Sequence, residues 1–567
     1  MKNWRINFIF VFIILFGATI IGRLVFLQII NQDFYRALAK GQQKLFARTL
    51  GDRGEIFLQD KEKNLYKVAT NKNWQLVFIS PKEILLEDKE KTAQTLSQTL
   101  NLDKDLISEK LKKDSFYEII KNKLTEEEVT NLKKLNLPGI YLREEKLRYY
   151  PYQNLISHLL GFVGGEGTGQ YGIEGYWNNI LEGKEGFIEK EKGPGGYLIF
   201  SSENYKTNRG SDLILTIDYN IQYLAEKLLK EARDQLNIEE GTIIVLDPNS
   251  GRLIALANSP AFNPNQYFES DLEIFQNEAI QKIFEPGSVF KPITMATALD
   301  QGKITPDTTY QDKGFVQIGG YTVYNYDLRV WGEKSMTEVL EKSINTGAVF
   351  AERRIGHNLF LEYIERFGFF EPTGIDLQGE DFFQNEELKK GYEINFATAS
   401  FGQGIGITPI QLVRAFSAIA NGGKLIRPYT VEKVIGDDRE MKTQPQISNN
   451  SVISLRTASQ LTAMLVSVVE NGFAKAAKIS GYYIAGKTGT AQIPWLALKI
   501  AKPGYSEKTI QTFVGFAPAF NPQFLILVKL NNPKTKTAEY SAVPIFRNLA
   551  EYIIHYYQIP PDYEINK

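Results

Sequence analysis

Glu285-Pro-Gly-Ser-Val-Phe-Lys-Pro-Ile-Thr-Met-Ala-Thr-Ala-Leu299 reads as a loop that turns into a helix. Pro286 fixes a helix-compatible φ just inside the start, and the apolar-rich run 289–299 supplies a face to bury. Ser288 falls in the first turn, where its own N–H has no intrahelical partner and can face a developing oxyanion. Lys291, three residues on, shares that helical face, so its amine reaches the serine oxygen. Pro292 strains this reading, because a residue before proline avoids the α region. Within a first turn the missing N–H costs little, and the helix stands.

Two further strings follow in order. Ser343-Ile-Asn345-Thr-Gly347 is a Ser/Asn turn between helical stretches at 336–342 and 348–355. Lys487-Thr-Gly-Thr490 closes an apolar, strand-like run at 482–486. Each string is weak alone: chance gives about one or two Ser-x-x-Lys matches in such a chain, and local capping or turn chemistry explains a Ser-x-Asn. Ser202-Glu-Asn204 and Ser448-Asn-Asn450 also match the second pattern, but the first precedes Ser288 and the second sits in a polar stretch that reads as a loop or helix N-cap. Ordered together, the strings supply a serine nucleophile, an amine to activate it, a second hydroxyl, an amide, and a cation beside a glycine that lets substrate come close. That is an inventory for acyl transfer through a serine ester.

Composition removes the competing chemistries. The chain has no cysteine and only three histidines, His158, His357 and His555, scattered along it and read as solvated or capping residues. A Cys/His zinc cluster is excluded, no Asp/Glu cluster argues for another metal, and no cofactor is expected. With 65 basic and 66 acidic residues the net charge is −1, which together with the absence of a basic stripe speaks against nucleic acid as the main partner.

The layout expected from these signals is α+β in three parts. Residues 1–30 hold Lys2 and Arg5 before an apolar run broken only by Arg23. They form an uncleaved transmembrane signal anchor with the N-terminus cytoplasmic and the rest outside. Residues 31–209 read as a β-rich, non-catalytic pedestal with a charged helical insertion that contains a capping-box start at Thr125-Glu-Glu-Glu128. Residues 210–567 read as an antiparallel sheet flanked by helices. Strands lie at 242–246, 252–257, 513–516 and 524–530, helices fill the interval 289–420, an amphipathic helix covers 544–557, and Asp218 is a helix cap.

With these residues in place, the chain resembles the class B penicillin-binding proteins, membrane-anchored peptidoglycan D,D-transpeptidases. Arg53-Gly-Glu-Ile56, Arg148-Tyr-Tyr-Pro151, His158-Leu-Leu-Gly161 and Gly172-Ile-Glu174 resemble that family's N-terminal region. Leu215-Thr-Ile-Asp218, Val245-Leu-Asp-Pro248, Gly402-Gln-Gly404 with Thr408-Pro409, and Phe513-Val-Gly-Phe-Ala-Pro518 resemble its transpeptidase domain. The resemblance implies that Ser288 is acylated, Lys291 is the base or proton relay, Ser343 passes a proton toward the leaving group, and Asn345 orients the bound peptide. Lys487 and Thr488, with Gly489 and Thr490, would receive the terminal carboxylate of a D-Ala-D-Ala stem peptide or a β-lactam. The backbone N–H groups of Ser288 and Thr490 would form the oxyanion hole.

The motif leaves open which lysine is the base. It also leaves open a D,D-carboxypeptidase or β-lactamase-like hydrolase, and a β-lactam sensor or peptidoglycan-binding scaffold. No acidic motif of a glycosyltransferase module stands in 31–205, so the resemblance implies a separate multi-pass glycan polymerase as partner, besides membrane lipid at the anchor. Gly404-Ile-Gly406 with Thr408-Pro-Ile-Gln411, and an expected long loop at 491–509, lean toward the septal type over the elongation type, penicillin-binding protein 2.

Overall fold

The computed structural model describes residues 16–17, 19–21, 44–183, 185–192, 198–200, 209–436 and 439–564. The anchor expected within 1–30 lies outside these residues except for its short middle piece. Among the described residues no helix is long and apolar enough to cross a membrane.

Two compact units emerge. The first, residues 1–53 with 182–210, carries a three-stranded antiparallel sheet in which Glu185–Lys192 pairs with Lys44–Leu50 on one side and Leu198–Phe200 on the other. The second takes in 54–181 and 211–567. Its N-terminal portion is built on Leu65–Ile79, a long strand that pairs antiparallel with Ile56–Gln59, Glu118–Leu124 and Ile140–Tyr149. Ile56–Gln59 lies parallel to Asp212–Asp218, which continues the sheet to Val431–Ile435. The charged insertion forms the helices Lys89–Leu100, Lys104–Lys112 and Glu126–Leu135 over a core of their own that includes Val77, Leu96, Ile107 and Leu111. Thr125 and Glu128 form the expected capping box at the third of these helices. Buried Glu174 accepts from Arg148 Nε at 2.6 Å.

The catalytic half is α+β, as expected. Helix α1 (Tyr219–Leu236) starts at Asp218, whose carboxylate accepts from the N–H groups of Asn220 at 2.9 Å and Ile221 at 3.1 Å. Ile221, Ala225, Leu228, Leu229 and Ala232 recur at helical spacing and bury one face. Strands β1 (Glu240–Leu246) and β2 (Leu253–Ser259) follow, and then helices α2 (Lys291–Asp300), α3 (Asn345–Ile355), α4 (Pro409–Ala420) and α5 (Leu455–Asn471). Strands β3 (Ala485–Pro494), β4 (Tyr505–Ala517) and β5 (Phe524–Asn531) and the final helix α6 (Ala542–Tyr557) complete the domain. All five strands are antiparallel in the order β2-β1-β5-β4-β3.

Adjacent residues Thr488 and Lys487 lie opposite Phe513 and Val514, so Phe513 and Lys487 point to opposite faces of the sheet. Phe513 packs edge-on against Phe546 of α6, with ring centroids 4.6 Å apart. Lys487 therefore faces the other layer, where the turn carrying Ser288 lies.

Several local expectations are corrected. Residues 309–335, placed within an all-helical interval, form two hairpins, Thr309–Asp312 with Gly332–Ser335 and Phe315–Ile318 with Tyr321–Tyr324. The Gly319-Gly320 pair between aromatic and β-branched runs is the hairpin signal that decides the second. The Lys-Thr-Gly string does not close a strand. The strand begins at Ala485 and runs through it to Pro494, because pairing with β4 overrides the apolar pattern at 482–484. The expected loop at 491–509 is shorter: strand runs up to Pro494 and again from Tyr505, which leaves 495–504 as the connection. Ser448-Asn-Asn450 lies on an exposed strand, Ile447–Ser451, instead of a loop or cap. His158 is not solvated: it is buried, Nε2 donates to Ile274 O at 2.8 Å, and burial pushes its pKa down to about 4.

Candidate active site

The turn that carries Ser288, the candidate nucleophile, is a short 3₁₀ segment, Gly287–Phe290, leading directly into α2. Pro292 occupies the first turn of α2, where its missing N–H removes no helical bond. Gly402 and Gly489 fix the turn from two directions. Gly287 N–H donates to Gly402 O at 2.9 Å, and Gly402, at φ +82°, comes so close that a side-chain carbon there would lie 2.1 Å from Gly287 O. A carbon on Gly489 would lie 2.9 Å from Val289 Cγ1 and 3.1 Å from Pro286 O. Gly402 needs glycine because backbone approaches backbone there in a left-handed conformation, whereas a side chain at Gly489 would press on Val289 and Pro286.

Ser288 is half-buried, and Lys291 Nζ lies 2.9 Å from its Oγ. The same amine reaches Ser343 O at 2.6 Å, Asn345 Oδ1 at 2.8 Å and Ser343 Oγ at 3.2 Å. Lys487 Nζ lies 3.0 Å from Ser343 Oγ and 2.8 Å from Thr488 O. Ser288, Lys291, Ser343, Asn345 and Lys487 thus form one connected group drawn from three separate stretches of chain. Ser343 adopts φ +54°, a left-handed conformation just ahead of α3. Thr488 and Thr490 are half-buried on β3, the edge strand beside the turn, and Thr490 Oγ1 accepts from Ala538 N at 3.2 Å.

Both lysines are wholly buried. Burial, and then the neighbouring Lys487 cation, hold the Lys291 amine well below the ordinary lysine pKa; burial brings Lys487 down to about 7. A buried amine without a facing carboxylate is costly as an ammonium ion, which favours a neutral, basic nitrogen. Among the described residues no group of His, Cys, Asp and Glu is arranged to hold a metal ion.

Other contributors carry no motif. Glu285 accepts from Gly404 N at 3.1 Å and from Tyr505 Oη at 2.9 Å, joining the nucleophile turn to the β3–β4 hairpin. Asn345 Nδ2 donates to Tyr324 O at 3.0 Å. Its neighbour Thr346 donates to Asp312 Oδ1 at 2.6 Å, and the Asp312 carboxylate also accepts from Gly314 N, Asn325 Nδ2 and Trp331 N. This buried network ties the 309–335 hairpins to the start of α3. Isolated Asp and Asn residues with no regular spacing give no sequence signal for it.

Comparison with known proteins agrees with this architecture. Residues 241–551 match the Penicillin binding protein transpeptidase domain, and residues 48–215 match the Penicillin-binding Protein dimerisation domain. The chain is 32% identical over 537 residues to Stage V sporulation protein D of Bacillus subtilis, covering 92% of this chain and 81% of that protein. It is 28% identical to Peptidoglycan D,D-transpeptidase FtsI of Escherichia coli, covering 99% of this chain and 93% of that one. Penicillin binding protein 3 of Mycobacterium tuberculosis, solved with aztreonam, superposes with a TM-score of 0.70 at 24% identity over 91% of this chain and 98% of that one, which shows a shared fold. With both modules present in order along most of its length, the chain belongs to the class B penicillin-binding proteins.

Proposed function

We infer that the protein is a peptidoglycan D,D-transpeptidase that cross-links stem peptides through an ester on Ser288, in septal or elongation cell-wall synthesis. The observation that carries this is the 2.9 Å approach of a wholly buried, pKa-depressed Lys291 amine to the Ser288 hydroxyl. With one proton gone, the two N–H bonds of Lys291 have acceptors in Ser343 O and Asn345 Oδ1, and its lone pair is free for the serine proton. Ser288 Oγ attacks the carbonyl carbon of the penultimate D-alanine as that proton passes to Lys291. The backbone N–H groups of Ser288 and Thr490 hold the oxyanion. The C–N bond breaks, and the departing D-alanine amine takes a proton through Ser343. An acceptor amine then attacks the ester carbonyl carbon, its proton passes through Lys291 to Ser288 Oγ as the C–Oγ bond breaks, and Ser288 is freed.

Lys487 in its protonated form, with Thr488, Gly489 and Thr490 of the edge strand, receives the terminal carboxylate of the donor or of a β-lactam. Residues 6–30 anchor the protein in the cell membrane with the catalytic domain outside. A multi-pass glycan polymerase supplies the strands to be cross-linked. Residues 404–411 support the septal reading over the elongation type.

Labelling with a fluorescent penicillin tests the core assignment: Ser288→Ala should abolish it, and persistent labelling of that variant would refute the nucleophile. The lifetime of the acyl-enzyme, with and without an acceptor amine, then separates cross-linking from simple hydrolysis.

A further inference from the structure

A second cleft, of about 200 Å³, is lined by Tyr176, Trp177, Asp376, Arg427, Gln444 and Gln446 among others. Among the described residues none of these bonds to Ser288, Lys291, Ser343 or Lys487. Two of its walls are aromatic. Tyr176 and Trp177 end the short helix Gly172–Tyr176 with ring centroids 5.8 Å apart, and Tyr176 is 46% exposed. The Trp177 indole N–H is buried and meets no acceptor among the described residues. Such a donor is costly unless something else completes it.

The C-terminal half supplies the polar side. Arg427 Nε donates to Gly374 O and Nη1 to Gln446 Oε1 at 3.2 Å, which fixes the guanidinium. The Gln444 and Gln446 side chains are exposed. Asp376 is already occupied: its carboxylate accepts from Thr430 N at 2.6 Å, Thr430 Oγ1 at 2.9 Å and Val431 N at 3.0 Å. The cleft is braced nearby, where Tyr171 N donates to Gln378 Oε1 at 2.6 Å and Gln378 N to Gly172 O at 3.1 Å.

This lining selects a ligand class. One cation and one anion leave no net charge for a phosphate or a metal ion, and the only lining carboxylate already accepts three hydrogen bonds. Aromatic faces beside amide and guanidinium groups suit a ring with one apolar C–H face and a polar edge. The volume holds roughly one sugar ring, less than the usual drug-sized pocket. An acetamide N–H would find a glutamine oxygen, and its carbonyl a glutamine N–H, on the exposed side chains of Gln444 and Gln446. We propose that this cleft binds one N-acetylated pyranose of a glycan strand, separately from the stem peptide taken at Ser288. The proposal rests on the reading of peptidoglycan as substrate. Its consequence is that the strand stays held while its peptides are exchanged.

The test uses the full-length, detergent-solubilised protein with Ser288 already acylated by penicillin, titrated with peptide-free glycan strands and followed by tryptophan fluorescence and calorimetry. Binding should persist in the acylated protein. Tyr176→Ala and Gln446→Ala should each weaken it about five- to tenfold, with the penicillin acylation rate unchanged. Absence of binding, loss of binding on acylation, parent-like affinity in either variant, or tighter binding of a free stem peptide to the cleft would each overturn the proposal. Penicillin labelling of the same samples reports independently on the reaction at Ser288, so a failed glycan titration with intact labelling counts against the cleft alone.

Discussion

Lys291 and Lys487 share one hydroxyl: Ser343 Oγ lies 3.2 Å from the first amine and 3.0 Å from the second. Two wholly buried amines so arranged repel each other when both are protonated, and among the described residues neither has a carboxylate within bonding distance. The site therefore favours a state with one proton fewer than two free lysines would carry, and Ser343 Oγ bridges the two amines.

The pH dependence of acylation follows from that coupling. In the proposed reaction Lys291 is neutral when it accepts the Ser288 proton, so the rate should rise as pH climbs through its depressed pKa. Removing the second cation in Lys487→Met makes the Lys291 ammonium easier to keep, and the rising limb should move to higher pH. Single-turnover acylation by a chromogenic cephalosporin from about pH 5 to 9 reads this directly. A limb that stays in place or moves to lower pH would show that the two amines are not coupled.

Ser343 allows its hydroxyl to be separated from its backbone. Its left-handed φ of +54° strains any L residue, and its carbonyl, not only its hydroxyl, accepts from Lys291. Ser343→Gly keeps the carbonyl, relieves the strain and deletes the relay. Acylation should fall about 10²- to 10³-fold, while denaturant melts place stability within about 1 kcal/mol of the parent. Near-normal acylation in this variant would remove Ser343 from the proton path.

Asp312 anchors the hairpins to the start of α3. Asp312→Ala leaves Thr346 Oγ1, Asn325 Nδ2, Trp331 N and Gly314 N without their shared acceptor in a site that is 1% exposed. The loss should be at least about 3 kcal/mol. Because Asn345 bonds to both Lys291 and Tyr324 O, acylation below the melting transition should also slow. Tyr310→Phe, which removes only the 3.1 Å contact to Thr346 Oγ1, should change stability by less than about 1 kcal/mol. Equal stability in the two variants would mean that the carboxylate does not organise the network.

What local sequence can encode is legible here. Pro286 and the run behind Ser288 mark the nucleophile turn, Asp218 and Thr125 mark helix starts, and the turn at 247–251 marks the β1–β2 hairpin, because each depends on neighbours within a few residues. Long-range partnerships leave no such trace. The parallel pairing of Ile56–Gln59 with Asp212–Asp218 joins strands about 150 residues apart, and nothing in either pattern announces it. Lys487 reads as a carboxylate binder from its string, whereas its contact with Ser343 Oγ depends on where the edge strand meets the nucleophile turn. Asp312 and Asn325 look like ordinary turn residues until the hairpins close around them.

His158 shows how burial alone sets a pH limit on the fold. Its Nε2–H donates to Ile274 O, and its pKa falls to about 4 from an ordinary 6.5 because the charged ring has lost its water. Unfolded chains therefore take up the proton first. The folded state keeps its full stability above about pH 6.5 and loses it as pH falls toward 4, by about 3 kcal/mol at that point. His158→Gln retains a donor for Ile274 O but cannot titrate. Denaturant midpoints at about pH 7.5 and 4.5 should show the parent losing more stability than the variant on acidification. Parallel losses in the two proteins would mean that the imidazole can take its proton inside the fold, with water or another acceptor reaching it.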